Sequence, residues 1–130
     1  MTTRGGLHAT NSNHILGYTD AAVAPIDYPV SPKAASDKLL AKLGLNHDDV
    51  DLWEVNEALA VVVLANTNKD KLDMAKVNVH GGAISLGHPF GASGARITGR
   101  FAFSLSKGQK GLASICNGGG GSSAILVEKC

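Results

Sequence analysis

The stretch Gly111-Leu112-Ala113-Ser114-Ile115-Cys116, followed at once by Asn117 and by Gly118 to Gly121, constrains this chain more than any other. An apolar run, a glycine turn and a second strand-like run over residues 122–128 read as two closing strands joined by a sharp turn. Glycine lets the backbone fold tightly and approach a ligand closely. Its peptide N–H groups can then point at negative charge developing beside a thiol. Cys116 therefore ends a strand against a turn suited to anion binding. Taken alone, the same pattern also fits a buried structural cysteine before a flexible turn.

Two further segments place polar side chains at junctions of the same kind. Gly87-His88-Pro89 is followed by Gly91-Ala92-Ser93-Gly94-Ala95-Arg96, which leads into a helical pattern through Arg100, Phe101 and Leu105. A histidine just before a helix start sits in a field that favours the neutral ring, so it can donate one N–H to an oxyanion. By itself it also reads as a packed or capping histidine. Val55-Asn56-Glu57-Ala58 lies where an apolar strand gives way to a helical pattern, and Asn56 in isolation reads as an N-cap.

In this order and at these spacings, the three segments resemble the C-terminal half of the thiolases, enzymes that make or cleave the carbon–carbon bond of 3-oxoacyl-CoA thioesters. The resemblance runs over about residues 15–129 and includes Gly17-Tyr18-Thr19-Asp20-Ala21-Ala22-Val23 and Pro25-Ile26-Asp27-Tyr28-Pro29. Within the family, Leu52-Trp53-Glu54-Val55-Asn56-Glu57-Ala58 and the wording around Cys116 are most similar to the mitochondrial acetoacetyl-CoA branch, the acetyl-CoA C-acetyltransferases.

What the resemblance implies is specific. A thiolase uses one cysteine of its N-terminal half to attack the thioester. A second, matching Cys116, moves the proton at the carbon beside the other thioester carbonyl. His88 matches the histidine that helps activate the nucleophile and donates into the oxyanion hole of the enolate, and Asn56 matches the residue that holds that hole's water. The backbone N–H matching Gly118 serves the oxyanion hole of the acyl-enzyme. Of the two cysteines here, Cys130 is the last residue and has none of the glycine and alanine context around the family's nucleophile. The expectation is half an active site, lacking the nucleophile and the loop domain through which thiolases hold most of the CoA, with no turnover by these residues alone. A non-catalytic thiolase-like partner or relic, acting through subunit association, is the alternative.

The resemblance also sets expectations for ligands and partners. No cofactor is required, and CoA thioesters enter as substrates once an N-terminal half completes the site. Some mitochondrial thiolases bind potassium partly through a backbone carbonyl matching Ile84, but most of the other ligands are absent here. No short paired spacing of His80, His88 and Cys116 supports a metal. A homo-oligomer, or docking onto another thiolase subunit, is expected because half of the family's double-layered sandwich is missing. Location is mitochondrial by resemblance, with the cytoplasm as alternative. The segment 1–14, polar and with one arginine, reads as disordered and makes a poor transit peptide.

Composition narrows the remaining classes. At 130 residues with 44% hydrophobic and 18% charged side chains, the chain reads as one globular domain. Two cysteines make no disulfide framework, and no apolar run reaches the length of about 18 that a membrane span needs. All acids except Glu128 lie in residues 1–73, while Lys76, Arg96, Arg100, Lys107 and Lys110 fall in an acid-free stretch. These cations are scattered and lack aromatic interleaving, so nucleic-acid binding is not expected.

Local patterns predict the order β-α-β-α-β-α-β-β. Strands are expected over 15–22, 50–55, 76–79, 111–116 and 122–128, and helices over 31–43, 57–66 and 91–107. Ser31 reads as an N-cap with Pro32 at the first helical position and Gly44 as the stop. The helix after Glu57 is apolar nearly all round, as a helix between two sheets would be. The result is an α/β fold, one thiolase-like half with a mixed five-stranded sheet and helices on its faces, over residues 15–130.

Overall fold

The computed structural model of the chain describes residues 12–130. Four strands make one mixed sheet in the order β1-β4-β3-β2, with β1 at Asn13–Ala22, β2 at Leu52–Val55, β3 at Lys110–Cys116 and β4 at Gly121–Lys129. β4 lies antiparallel to both neighbours, and β2 runs parallel to β3. The expected β3–glycine turn–β4 hairpin thus forms the centre of the sheet, and the parallel pair at one edge is reached by a long helical crossover.

Four helices surround the sheet: α1 (Ser31–Leu43), α2 (Ala60–Asp70), the single turn α3 (Ala83–Leu86) and α4 (Phe90–Ser104). Alternation along the strands sorts their side chains between two cores. Ala35, Leu39 and Leu40 of α1 and Val62 and Val63 of α2 pack on Trp53, Val55, Leu112, Cys116, Ala124 and Leu126. On the opposite face, Ile97 and Phe101 of α4 and Leu105, just past its end, pack on Ala113 and Val127. α1 ends where the sequence places its stop. Gly44 adopts the left-handed conformation, and Leu45 N–H donates to Leu40 O across it at 2.9 Å.

The sheet has four strands rather than five. Residues 76–79 make a single parallel bridge, Trp53 to Val77, before the chain turns at Asn78, whose φ is +49°. The Asn78 side chain takes over as a strand surrogate: its Oδ1 accepts from Val55 N–H and its Nδ2 donates to Val55 O, both at 2.9 Å. One amide thus satisfies the edge that a fifth strand would pair.

Other differences have equally local causes. Ser31 does not cap α1. It is buried, and its hydroxyl donates to the carbonyls of Tyr28 at 2.8 Å and Gly121 at 3.2 Å. α2 starts at Ala60 rather than Glu57, because the Glu57 carboxylate instead accepts from Asn78 Nδ2 at 3.1 Å and from Ile84 N–H at 2.9 Å. Nor is α2 covered all round. It buries Asn66 and Thr67, whose side chains bond to neighbouring carbonyls, while Val61 and Leu64 stay exposed. β1 begins two residues before the expected start, at Asn13. The expectation of disorder over residues 1–14 does not hold for Asn13 and His14, which belong to β1, and for residues 1–11 it lies outside the described residues.

Among the described residues one long helix, α4, covers the second face of the four-stranded sheet, and part of that face stays open. Tyr18 and Ile15 on β1 and Phe90 and Phe103 at the two ends of α4 are all more than half exposed. No described helix is long and apolar enough to cross a membrane.

Candidate active site

β3 delivers Cys116 to the end of the sheet as a buried free thiol, opposite Ser122 of β4. The connection between these strands is held by Asn117 N–H donating to Gly121 O at 2.8 Å, with Gly118 at φ +79° and Gly120 at φ +92°. Both angles lie in the left-handed region that favours glycine. Such alternation lets successive peptide N–H groups converge on one anion. Two buried hydroxyls fix the turn from behind: besides the Ser31 bond to Gly121, Ser122 Oγ donates to Ser31 O at 2.6 Å.

His88 lies in the extended link between α3 and α4, two residues before the helix starts. Its Nε2 is 3.2 Å from Asn56 Nδ2 and its Nδ1 is 2.6 Å from Ser93 Oγ. Ser93 Oγ also lies 3.2 Å from Pro89 O. An amide nitrogen only donates, so Nε2 accepts. Nδ1 then carries the proton and donates to Ser93, whose own hydrogen goes to Pro89. This assignment rests on satisfying the network. On this assignment the acceptor nitrogen of the ring lies at the Asn56 end.

Asn56 is 1% exposed and continues the β2 ladder, its N–H donating to Ser114 O at 2.9 Å. It is not the N-cap of α2. Its Oδ1 is buried without a partner among the described residues.

His88, Cys116 and Gly118 line one cavity of about 450 Å³, together with Tyr28, Ala58, Leu59, Phe90, Ile115 and Asn117. Asn56 does not line it but stands behind the histidine. Three of the four expected site residues thus meet in one space, and the fourth bonds to one of them. The sequence reading missed Ser93, which orients His88, and the Glu57–Asn78 pair, which ties the loop leading to His88 onto the end of β2. A small polar residue one turn into the buried side of α4 was the available sign of Ser93. The amide contacts join residues far apart in the chain, and no local pattern marks them.

Electrostatics singles out one further group. Burial pushes the Glu54 carboxyl up to about 7, against the partial counter-pull of Arg96 and Arg100. Unfolded, this group titrates near 4.5. Below that pH both states are protonated. From there to about pH 7 the unfolded chain releases a proton that the folded chain keeps, so stability falls as pH rises and then levels off. The total is about 3 kcal/mol. Glu54→Gln is expected to raise stability by an amount of that order at pH 8 and to change it little at pH 4, as measured by urea unfolding at the two pH values.

Residues 9–129 match the family described as thiolase, C-terminal domain. The chain belongs to the thiolases. It is 56% identical over 123 residues to the mitochondrial acetyl-CoA acetyltransferase B of Xenopus laevis, covering 95% of this chain and 29% of that protein. A crystal structure of Acat5 thiolase from Ascaris suum with coenzyme A superposes with a TM-score of 0.89 at 47% identity, over 91% of this chain and 31% of that one. The peroxisomal 3-ketoacyl-CoA thiolase of Saccharomyces cerevisiae, a five-layered α-β-α-β-α structure of two core domains with identical topology, gives 0.88 at 37% identity, over 91% of this chain and 34% of that one. This thiolase C-terminal domain thus spans about a third or less of the length of its relatives.

Proposed function

We propose that the chain supplies the proton-transfer half of a thiolase active site, acting on acetoacetyl-CoA and acetyl-CoA in mitochondria, and that the nucleophilic cysteine comes from thiolase sequence outside these residues. That sequence belongs either to a longer form of this polypeptide or to another subunit, and α4 with the open sheet face beside it receives the partner layer. The observation that carries the reading is the convergence of a buried thiol, a histidine held at both ring nitrogens and a left-handed glycine turn on one cavity.

In the condensing direction, the nucleophile attacks a first acetyl-CoA to give the acyl-enzyme. The Cys116 thiol protonates the departing CoA thiolate and is left as a thiolate. That thiolate then takes a proton from the methyl carbon of a second acetyl-CoA, whose thioester oxygen becomes an enolate. His88 Nε2 first accepts the nucleophile's proton and then, as N–H, donates to that oxygen. Asn56, which fixes Nε2, offers its unpartnered Oδ1 to orient a water in the same hole. The enolate carbon attacks the acyl-enzyme carbonyl and forms the carbon–carbon bond. The Gly118 N–H holds the transient oxyanion until the nucleophile's thiolate leaves. Thiolysis is the reverse. No metal is needed in this scheme, and a potassium ion near the Ile84 carbonyl would act on loop geometry alone.

Two exchange reactions of the completed enzyme separate the roles. Cys116→Ala is expected to slow solvent deuterium wash-in at the acetyl-CoA methyl by about 10² to 10⁴. Exchange of labelled CoA into acetyl-CoA, which reports acyl-enzyme formation, should persist. Retention of wash-in by the variant would assign Cys116 to structure alone, the non-catalytic alternative.

A further inference from the structure

His88 and Asn56 lie 32 residues apart in the chain, yet Nε2 of one is 3.2 Å from Nδ2 of the other. The sheet fixes Asn56, through its N–H bond to Ser114 O. His88 has no such frame. It follows the single turn α3, where Ile84, Ser85, Leu86 and Gly87 are all exposed. With so little apolar burial to anchor this turn, polar contacts must set its position.

Those contacts converge on Glu57 and Asn78. The Asn78 amide bonds both backbone groups of Val55, the residue before Asn56, and also donates to Glu57 Oε1 at 3.1 Å. The other carboxylate oxygen accepts from Ile84 N–H at 2.9 Å. α3 carries the constraint forward: Gly87 N–H donates to Ala83 O at 2.8 Å immediately before His88. Both partners of Glu57 are donors, so a carboxylate suits the junction, whereas a glutamine would turn its NH₂ on one of them. Gly82 leaves the seat open, since a Cβ there would run into the Glu57 carboxylate. Its φ of −141° is one that any residue adopts.

We infer that Glu57 and Asn78 are positioning residues: together they lock the strand end bearing Asn56 to the turn bearing His88, and so set the distance across the enolate's oxyanion hole. The catalytic part of this inference rests on the proposed thiolase reading. The geometric part does not. The glycine turn after Cys116 hangs instead on β3 and β4 and is tied to Ser31 and Val23, so damage to the brace moves His88 and spares that turn.

Histidine ring ¹⁵N signals of the labelled chain at alkaline pH test the geometric part. Ser93 can donate to or accept from Nδ1, so the Asn56 amide is what fixes the tautomer of His88. The His88 signals, identified by their loss in His88→Gln, should be well separated, one nitrogen protonated and the other bare. Asn78→Gly, which keeps the left-handed backbone and removes the amide, should draw them together as the ring exchanges tautomers. Gly82→Ala should do the same without altering either residue, because the methyl displaces only the flexible tip of Glu57. Glu57→Gln should have a smaller effect than Glu57→Ala. Amide exchange at Asn117 and Val23, and the urea midpoint of Gly82→Ala, should stay near wild type.

In a complex with the N-terminal two-thirds of the Xenopus laevis relative, Asn78→Gly and Gly82→Ala should lower kcat for acetoacetyl-CoA thiolysis by about 10² with KM little changed, as expected when a reacting group is misplaced. His88 signals that stay separated in both variants would overturn the brace. Signals that merge while kcat holds would overturn its place in catalysis. A wild-type complex that assembles without turnover, with the signals merging as expected, would refute the thiolase reading and leave the brace standing.

Discussion

Replacing Phe101 by alanine is expected to cost about 3–5 kcal/mol, the range for removing a fully buried aromatic ring. That is a large share of the stability of a domain this size. The ring is 1% exposed and, with Ile97 and Leu105, forms the apolar stripe that fixes α4 to the sheet. It lies directly against β3: a Cβ at Gly111 would come within 2.5–2.8 Å of ring carbons, so the glycine is there to admit the ring. Little else can collapse into the space, because α4 is the one long helix on this face among the described residues. The effect should extend to the site, since α4 carries Ser93, the partner of His88. Urea unfolding midpoints measure the loss. A change below about 1 kcal/mol would mean that α4 is held by something other than this stripe.

Gly120→Ala is the second large effect, with an expected loss of roughly 2–4 kcal/mol. At φ +92° a side chain is strained whatever the space, and here there is none: the new Cβ would lie 2.3 Å from Val23 O. Backbone atoms cannot swing aside as a side-chain tip can. The clash would also break the Val23 N–H bond to Gly120 O, 3.0 Å long, which ties the turn to the end of β1. Gly118→Ala supplies the comparison. Its φ is +79°, but nothing lies within 4 Å of the added carbon, so only the conformational penalty of about 1–2 kcal/mol applies. Equal losses at the two positions would show that strain alone, and not the Val23 contact, sets the cost at Gly120.

Much of this architecture is legible in the sequence because it is written in local chemistry. The hairpin around the glycine turn, α1 with its Gly44 stop and the helix after His88 each follow from short-range periodicity and turn residues, and all three form. The segments around Asn56, His88 and Cys116 also suffice to place the chain among the thiolases. The missing fifth strand is a different case. Val77 and Val79 suggest a strand, and only the long-range bonds of Asn78 to Val55 reveal that a side chain does the pairing. Ser31 and Glu57 have the chemistry of helix starts, but the Ser31 hydroxyl is taken by the Tyr28 and Gly121 carbonyls and the Glu57 carboxylate by the Asn78 amide and the Ile84 N–H. α2 reads as apolar on every side, yet its buried face carries Asn66 and Thr67, which satisfy themselves on the Val62 and Val63 carbonyls one turn back, with Asn66 also reaching the distant Pro29 O.

The most direct test is acetoacetyl-CoA thiolysis by the purified chain, alone and after co-refolding with an N-terminal thiolase portion, with Cys116→Ala in parallel. The expected result is no turnover by the chain alone, activity in the mixture, and loss of that activity in the variant. Cys116-dependent turnover by the chain alone, or a mixture as active with alanine as with cysteine, would contradict the assignment of Cys116 as the proton-transfer half of a shared site.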